Sequence, residues 1–260
     1  MPIRKRRNMG SGIGVYVPPA KLQAMRAAAA ENGNDAIVQG GNDEPSRVHD
    51  NMKQKQTWDQ LKKTINGSIN RLNLSNIRDI TMKLFQDANL VRGRGLLARS
   101  MLKATLASPS FAHVYAALIA VISAKLPENG ELVLSRAILA FQRAYKRRDK
   151  AAALSLVKLI AHLVNQSVAH ELLALQILTV LLEDPTDDSV EVAVAFTLEV
   201  GQFLEEVSPK GMHAIMERFR AILHQGEIDQ RVQYTIENLF AIRKGSFPKY
   251  PASVQPLALV

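Results

Sequence analysis

The sequence predicts an all-α protein: a HEAT-repeat-like α-solenoid of about five antiparallel helix pairs, preceded by a disordered N-terminal arm. Apolar residues recur at helical spacing from Thr57 onward, and no segment alternates convincingly as a strand would. All four prolines between residues 57 and 244 lie at expected helix boundaries. Successive pairs begin near residues 57, 91, 127, 168 and 209, and repeats of roughly 35 to 40 residues are typical of helical-hairpin solenoids.

Residues 1–56 are expected to form a flexible basic arm. They hold six of the 14 glycines and four of the 11 prolines, with nine Lys/Arg against five Asp/Glu. Within the arm, residues 15–22 (VYVPPAKL) form an apolar island with a stiff Pro-Pro centre. Such an island predicts a docking segment, either for this chain's own helical domain or for another protein. Its candidate contact residues are Tyr16, Pro18, Pro19 and Lys21.

The helical-repeat domain is expected over residues 57–244, followed by a C-terminal tail over residues 245–260. Its ten helices should cover residues 57–72, 76–88, 92–107, 109–125, 128–147, 150–165, 168–183, 188–206, 209–225 and 229–243. Side chains able to accept hydrogen bonds from free backbone N–H groups are expected to cap four of these helices: Ser75, Asp149, Asp188 and Asp229. Pro109 and Pro209 should open helices, and Pro127 and Pro185 should lie in turns.

The first helix carries the candidate binding surface. Its apolar stripe, which should face the core, consists of Trp58, Leu61, Ile65, Ile69 and Leu72. Gly67 lies on the exposed side, where a glycine costs about 1 kcal/mol relative to alanine. Close approach of a partner would explain this glycine, with Asn70 and Arg71 beside it as hydrogen-bond donors; a merely tolerated glycine is the alternative. Gly67, Asn70 and Arg71 are therefore the candidate partner-binding residues.

Catalytic and metal chemistry are not predicted, so the chain is not expected to be an enzyme. Cysteine is absent, and the six histidines include no pair at the four-residue spacing of a helical zinc site. Neither a phosphate-binding loop nor a nucleophile elbow is present. No catalytic residue, metal or cofactor is assigned. The longest strongly apolar run, residues 114–124, is too short to span a membrane.

The net charge of +9 is distributed as a gradient along the chain. Residues 58–125 carry a net +7, whereas residues 183–260 carry a net −5. The basic front raises direct RNA binding by a helical scaffold as an alternative function. Aromatic residues are scattered over helix faces, however, so no surface for stacking bases is expected. The RGRG motif of residues 92–95 is interpreted mainly as a tight turn that permits close helix packing, with phosphate binding as the alternative.

Seven stretches of the sequence resemble one family, in order along the chain. They are residues 15–22 (VYVPPAKL), 58–70 (WDQLKKTINGSIN), 91–100 (VRGRGLLARS), 113–117 (HVYAA), 162–171 (HLVNQSVAHE), 185–193 (PTDDSVEVA) and 227–234 (EIDQRVQY). On these motifs the chain resembles the middle domain of translation initiation factor 4G, which has a HEAT-repeat fold. Within that superfamily it resembles the spliceosomal pre-mRNA-splicing factors called "complexed with Cef, protein 22".

The resemblance implies a nuclear adaptor of the spliceosome. Members of the family bind the DEAD-box ATPase of the exon junction complex, initiation factor 4A-III, hold it open and inactive, and recruit it to the spliceosome. The family's ATPase-contacting positions fall on Gly67, Asn70 and Arg71. Ser68 stands where a larger apolar residue is expected, and Arg71 where lysine is usual. The implied partners are this ATPase and other spliceosomal proteins, with RNA reached through the ATPase; a translation or RNA-decay scaffold is the alternative within the superfamily.

Overall fold

The computed structural model describes residues 44–252 and residue 257, with side chains from residue 51 onward. This part of the chain contains ten α-helices and no strand: α1 (Glu44–Asn70), α2 (Ile77–Asp87), α3 (Arg94–Ala107), α4 (Ala112–Lys125), α5 (Pro127–Lys146), α6 (Lys150–Asn165), α7 (Glu171–Glu183), α8 (Asp187–Val207), α9 (Pro209–Gln225) and α10 (Gln230–Lys244). A short 3-10 helix, Pro109–Phe111, precedes α4. The predicted all-α class is confirmed. The expected docking segment, residues 15–22, lies outside the described residues.

From residue 54 onward, the described residues form one compact unit, in which helix pairs stack in two layers. In one layer α2 packs on α4, α4 on α6, α6 on α8, and α8 on α10. In the other layer α3 packs on α5, and α7 on α9. Helices α4, α6 and α8 carry the most buried side chains, because each has neighbours on both sides within its layer. The hydrophobic core therefore lies mainly along the second helices of the pairs, where neighbouring hairpin repeats stack on one another.

Hydrogen bonds between neighbouring repeats show the repeat length directly. Ser100 and Asn66 are 34 positions apart in sequence, and so are Asn165 and Glu199. Other separations are wider: 36 positions between Arg218 and Leu182, 38 between Arg243 and Glu205, 41 between Arg136 and Gly95, and 42 between Asp229 and Asp187. Residues at equivalent places in successive repeats thus meet across the interface, and the predicted period is confirmed.

Helix α1 differs from the prediction in its start and in its apolar stripe. It begins at Glu44 rather than Thr57, because residues 46–56 contain no glycine or proline to break the helix, while Pro45 lies in the first turn, where proline is tolerated. Ile65 and Ile69 are buried as expected, but Trp58 is 37% exposed. Residues 51–60 are all exposed, so the first part of α1 extends past the core and carries Trp58 with it.

Several predicted helix caps are replaced by neighbouring residues. Asp149 caps α6 as expected and accepts a hydrogen bond from the Ala152 backbone N–H. Asp188 was expected to cap α8, but Thr186 does so, because Thr186 and Ser189 form a reciprocal capping box two residues earlier. Three further boundaries differ: Asn76 rather than Ser75 precedes α2, Pro127 opens α5 instead of lying in a turn, and Asp229 precedes α10 without a side-chain hydrogen bond.

The segment after α10 packs against the helical unit. Phe247 and Leu257 are each only 1% exposed. The Phe247 ring lies against Gly201 of α8, so closely that a Cβ atom at Gly201 would overlap the ring. The segment expected as a tail therefore contributes two side chains to the core, and Gly201 is the residue that makes room for one of them.

Candidate partner-binding site

Gly67, Asn70 and Arg71, called the α1 patch below, lie together where α1 ends. Asn70 and Arg71 are exposed and Gly67 is half-buried. The turn that follows is fixed by its own side chains: the Asn73 side chain accepts hydrogen bonds from the Ser75 and Asn76 backbone N–H groups, at 3.0 and 2.9 Å. The Asn76 side chain in turn donates to the Arg71 carbonyl oxygen at 2.6 Å. The patch is therefore presented on a helix end with a defined geometry.

The other side of this helix end is attached to the next repeat. Ser100 of α3 donates a hydrogen bond to the Asn66 side chain, and Ile65 and Ile69 are buried. Gly93, just before α3, allows the close approach: a Cβ atom there would come within 2.9 Å of Ile65 Cδ1 and 3.0 Å of the Asn89 carbonyl oxygen. The expected packing role of the RGRG turn is thus confirmed for Gly93. These contacts attach the inner face of the end of α1 to the next repeat, and the α1 patch lies on the opposite, outward face.

Gly67 has no packing reason within the described residues to be a glycine. The only atom near a Cβ built there is the Arg71 guanidinium nitrogen Nη2, at 3.8 Å, an ordinary contact with a movable side chain. By contrast, a Cβ atom at Gly130 would overlap Ser123, and one at Gly211 would come within 2.6 Å of Leu175. A glycine inside a helix costs about 1 kcal/mol relative to alanine, and no contact among the described residues accounts for that cost at Gly67.

Arg71 stabilises the end of α1 and also exposes part of its guanidinium group to solvent. Its Nε donates to the Gly67 carbonyl oxygen at 2.9 Å, which satisfies a carbonyl in the last turn and places positive charge at the helix C-terminus. Among the described side chains, no carboxylate pairs with the guanidinium, and none forms a hydrogen bond with Asn70. The terminal guanidinium nitrogens and the Asn70 amide are thus free to bind an acidic or carbonyl-rich surface.

Sequence reasoning placed Trp58 in the core and so missed a second surface. The Arg92 guanidinium lies over the exposed Trp58 ring, 6.0 Å from its centroid, at one side of a cleft between α1, α3 and α5. The signal that could have revealed it is the run of polar residues before Trp58, which extends α1 beyond the part that packs. Within that extension, a residue on the apolar stripe of the helix has no core beside it to pack against.

Two of the six histidines lie side by side, partly buried between α4 and α6. His113 of α4 and His162 of α6 lie with ring centroids 5.9 Å apart, and His162 Nε2 is 3.5 Å from a Glu199 carboxylate oxygen. Burial lowers the pKa of His162 to about 3, with the positive charges of His113 and Lys158 adding to the effect. Across the described residues, no three His, Asp or Glu side chains are arranged to hold a metal ion.

The described residues also contain no single helix that is long and apolar enough to cross a membrane. Helix α3 and the segment 109–125 reach the required length and hydropathy only when counted together, and they meet at a bend of 120°. Much of the apolar surface of α4 is buried within the solenoid.

Comparison with known proteins gives a consistent result. Residues 62–246 match the family described as MIF4G domain. The chain is similar to proteins named pre-mRNA-splicing factor CWC22 homolog: it is 50% identical over 264 residues to that of Danio rerio, with 100% of this chain covered. It is 51% identical over 247 residues to that of Homo sapiens and 50% identical over 247 residues to that of Drosophila melanogaster, each covering 95% of this chain. The chain spans 25% of the first two relatives and 17% of the third.

Proposed function

This chain belongs to the MIF4G domain family and is a close homologue of CWC22 pre-mRNA-splicing factors; from that premise we propose that it acts in the nuclear spliceosome as a non-enzymatic adaptor. Its partner in this proposal is the DEAD-box ATPase of the exon junction complex. The adaptor binds the ATPase through the α1 patch, holds it open and inactive, and recruits it to the spliceosome. Other spliceosomal proteins complete the set of partners.

The observation that carries the proposal is the unexplained space over Gly67. Each of the glycines compared above lies tightly against a neighbour in the chain, whereas Gly67, like Gly95, has room for a Cβ atom; Gly67 differs from Gly95 in lying beside the exposed donors Asn70 and Arg71. A partner surface that approaches the α1 backbone closely would use this space, and Asn70 and Arg71 would then donate hydrogen bonds to it. The family resemblance supports the same proposal, because it implies that the ATPase-contacting positions are these three residues.

An adaptor of this kind would act by choosing between conformations of its partner. A DEAD-box ATPase closes by bringing two lobes together, so a scaffold that binds the separated arrangement more tightly shifts the population away from closure. The solenoid itself needs no catalytic group for this effect. Its requirement is a rigid surface, which the hydrogen-bonded turn after α1 and the Asn66–Ser100 contact provide.

The test is Gly67→Ala, measured by binding of the purified ATPase to the whole chain. The added methyl group fits the free chain, so melting temperature should be unchanged or higher. In a closely packed interface the same methyl group is expected to cost about 1 to 3 kcal/mol, which weakens binding by about 5-fold to 150-fold. Binding should be measured in parallel with the cytoplasmic paralogue of the ATPase, since preference for that protein would favour a translation or RNA-decay scaffold.

Gly95→Ala is the matched control, because Gly95 is also a helical glycine with room for a Cβ atom, 3.5 Å from Arg136 Nη2. This variant should bind the ATPase like the original chain. A double variant, Asn70→Asp with Arg71→Glu, should lose binding by charge reversal, at a cost of about 2 to 5 kcal/mol. Unchanged ATPase binding by both Gly67→Ala and the double variant would show that the α1 patch is not the interface.

A further inference from the structure

The segment after α10 is attached to α8 through two neighbouring positions of that helix. Phe247 is 1% exposed, and its ring fills the space that Gly201 leaves on α8, where a Cβ atom would overlap the ring. The next residue of α8, Gln202, accepts a hydrogen bond through its side-chain oxygen from the Ala252 backbone N–H, at 2.8 Å. Gly201 and Gln202, called the α8 site below, therefore receive an aromatic ring and, five residues later in the bound segment, a backbone N–H group.

The bound segment, residues 245–252, contains two consecutive residues in the left-handed backbone region. Ser246 has a φ of 58° and Phe247 a φ of 55°. A left-handed residue also follows α5 and α6, at Arg148 and Ser167, where it ends the helix as such residues commonly do. Among the described residues, only the end of α10 is followed by a second one, and a bulky side chain is rarely left-handed. The packing of the Phe247 ring thus holds the backbone in an unfavourable conformation.

The left-handed residues result from a short connection. Only Gly245 and Ser246 lie between the last residue of α10 and the buried Phe247, so the chain must reverse its direction at once. The reversal satisfies the end of α10, because the Ser246 N–H donates to the Arg243 carbonyl oxygen at 2.8 Å and the Phe247 N–H to the Ile242 carbonyl oxygen at 3.1 Å. A segment that does not start from α10 needs no such reversal. It can place an aromatic ring at the α8 site without the left-handed strain.

We propose that the α8 site is a docking site for an aromatic residue of a protein partner, and that residues 245–252 are its displaceable occupant in the free chain. The partner presents the aromatic residue on an extended segment, as Pro248 keeps the chain extended after Phe247. Its ring fills the space over Gly201, and its backbone donates a hydrogen bond to Gln202. Strained residues are typical of such clamps and switches, because the strain lowers the cost of exchanging the occupant.

A second copy of this chain does not fit as the occupant. Its own α10 would have to end two residues before the ring, against the part of α8 on which α10 of the first copy already packs. A partner segment that is free on both sides of its aromatic residue meets no such obstacle. The α8 site belongs to a different helix pair from the α1 patch, so this proposal goes beyond the adaptor function and is tested without any ATPase.

The probe is a labelled synthetic peptide with the sequence of residues 245–252 (GSFPKYPA), whose binding is followed by fluorescence anisotropy. It should bind saturably to the whole chain carrying Phe247→Ala, in which the space over Gly201 is open. Binding to the original chain should be weaker by roughly tenfold or more, because the chain's own segment competes at a high effective concentration. A peptide that itself carries Phe247→Ala should not bind.

The control for the site is the double variant Gly201→Ala with Phe247→Ala. Its added methyl group lies where the ring of the peptide would sit, so binding should weaken roughly tenfold or more relative to Phe247→Ala. Equal binding by the two chains would place the peptide elsewhere, and no binding to Phe247→Ala would mean that there is no docking site. Either result overturns the proposal. Dimers of the original chain that Gly201→Ala abolishes would also overturn it, since the occupant would then be a second copy.

Displacement of the chain's own segment is measured by amide hydrogen exchange on the original chain, which does not require the Phe247 variant to fold. The Ala252 N–H should exchange by local opening, well before the amides of α8. Ser246→Gly removes left-handed strain from the closed form and should slow this exchange about threefold. Ser167→Gly makes the same change at the equivalent position after α6 and should leave it unchanged. Equal effects of the two variants, or exchange of Ala252 only by global unfolding, would show that the segment is a fixed part of the core.

Discussion

At position 68, a hydroxyl group is buried without a hydrogen-bond partner. Ser68 is 0% exposed, and its Oγ has no partner among the described residues. A buried polar group that forms no hydrogen bond keeps its cost of desolvation uncompensated, typically about 1 to 3 kcal/mol. The family resemblance leads to the expectation of a larger apolar residue here, and the burial shows why an apolar side chain would suit the position.

Replacing Ser68 by alanine should therefore stabilise the chain. The expected rise in the free energy of unfolding is about 1 kcal/mol, from removal of the unpaired hydroxyl and from the better helix propensity of alanine. Ser155→Ala is the control, because the Ser155 hydroxyl donates to the Ala151 carbonyl oxygen at 2.8 Å and gains nothing from removal. Denaturant unfolding of both variants measures the difference, and a loss of stability in Ser68→Ala would contradict the expectation.

The role of a single residue could be predicted from the sequence where that residue is unfavourable for its local secondary structure. Gly67 was notable because glycine is unfavourable inside a helix, and no contact within the described part of the chain requires a glycine there. Trp58 carried no such signal, since an aromatic residue on the apolar stripe of a helix is normally buried in the core. Its exposure depends on where the neighbouring helices end, which is a tertiary property that spacing does not contain.

At the scale of elements, helices α4, α6 and α8 share a buried polar cluster. His113, His162 and Glu199 come from these three helices, with Lys158 nearby. Burial lowers the pKa of His113 too, more than the Glu199 carboxylate and the hydrogen bond to Ser110 raise it. Both rings are therefore kept neutral inside the repeat stack at neutral pH.

The cluster predicts a loss of stability in mild acid. The folded pKa of His162, about 3, lies below the unfolded value of 6.5, so between these limits the unfolded chain binds the extra proton. The His162 contribution is complete above pH 6.5 and falls as the pH decreases toward 3. From pH 7 to pH 5 it should remove about 2 kcal/mol of unfolding free energy.

His162→Gln should remove this part of the pH dependence, which denaturant unfolding at the two pH values measures. His213→Gln is the control, because His213 is exposed on α9 and away from the cluster. The control should keep the pH dependence of the original chain. Equal pH dependence in the His162 variant and the original chain would show that the neutral imidazole is not a source of stability.

Helix number and order were predictable from sequence, and helix ends were less so. Prolines and polar capping residues fixed the boundaries to within a few positions, as at Asp149 and Pro209. The helix ends that differ from the prediction, such as the capping box at Thr186 and the early start at Glu44, lie in sequences that could begin a helix at several positions. Packing of neighbouring repeats and the length of exposed polar helix decide among them.

At the scale of the whole molecule, the α1 patch belongs to the basic part of the chain. The net charge is +7 over residues 58–125 and −5 over residues 183–260. This asymmetry would orient a complex in which the partner presents an acidic surface to the basic part of the solenoid.

The hydrogen bonds between adjacent repeats join positions only 34 to 42 apart, and this spacing has a kinetic consequence. No such contact requires the chain to close a loop longer than about one repeat, so folding can begin in any adjacent pair and propagate in both directions. The central repeats, with neighbours on both sides, should open last, and the terminal repeats first. A protein bound at the α1 patch would hold closed the end that opens first, and would slow amide hydrogen exchange there before it slowed global unfolding.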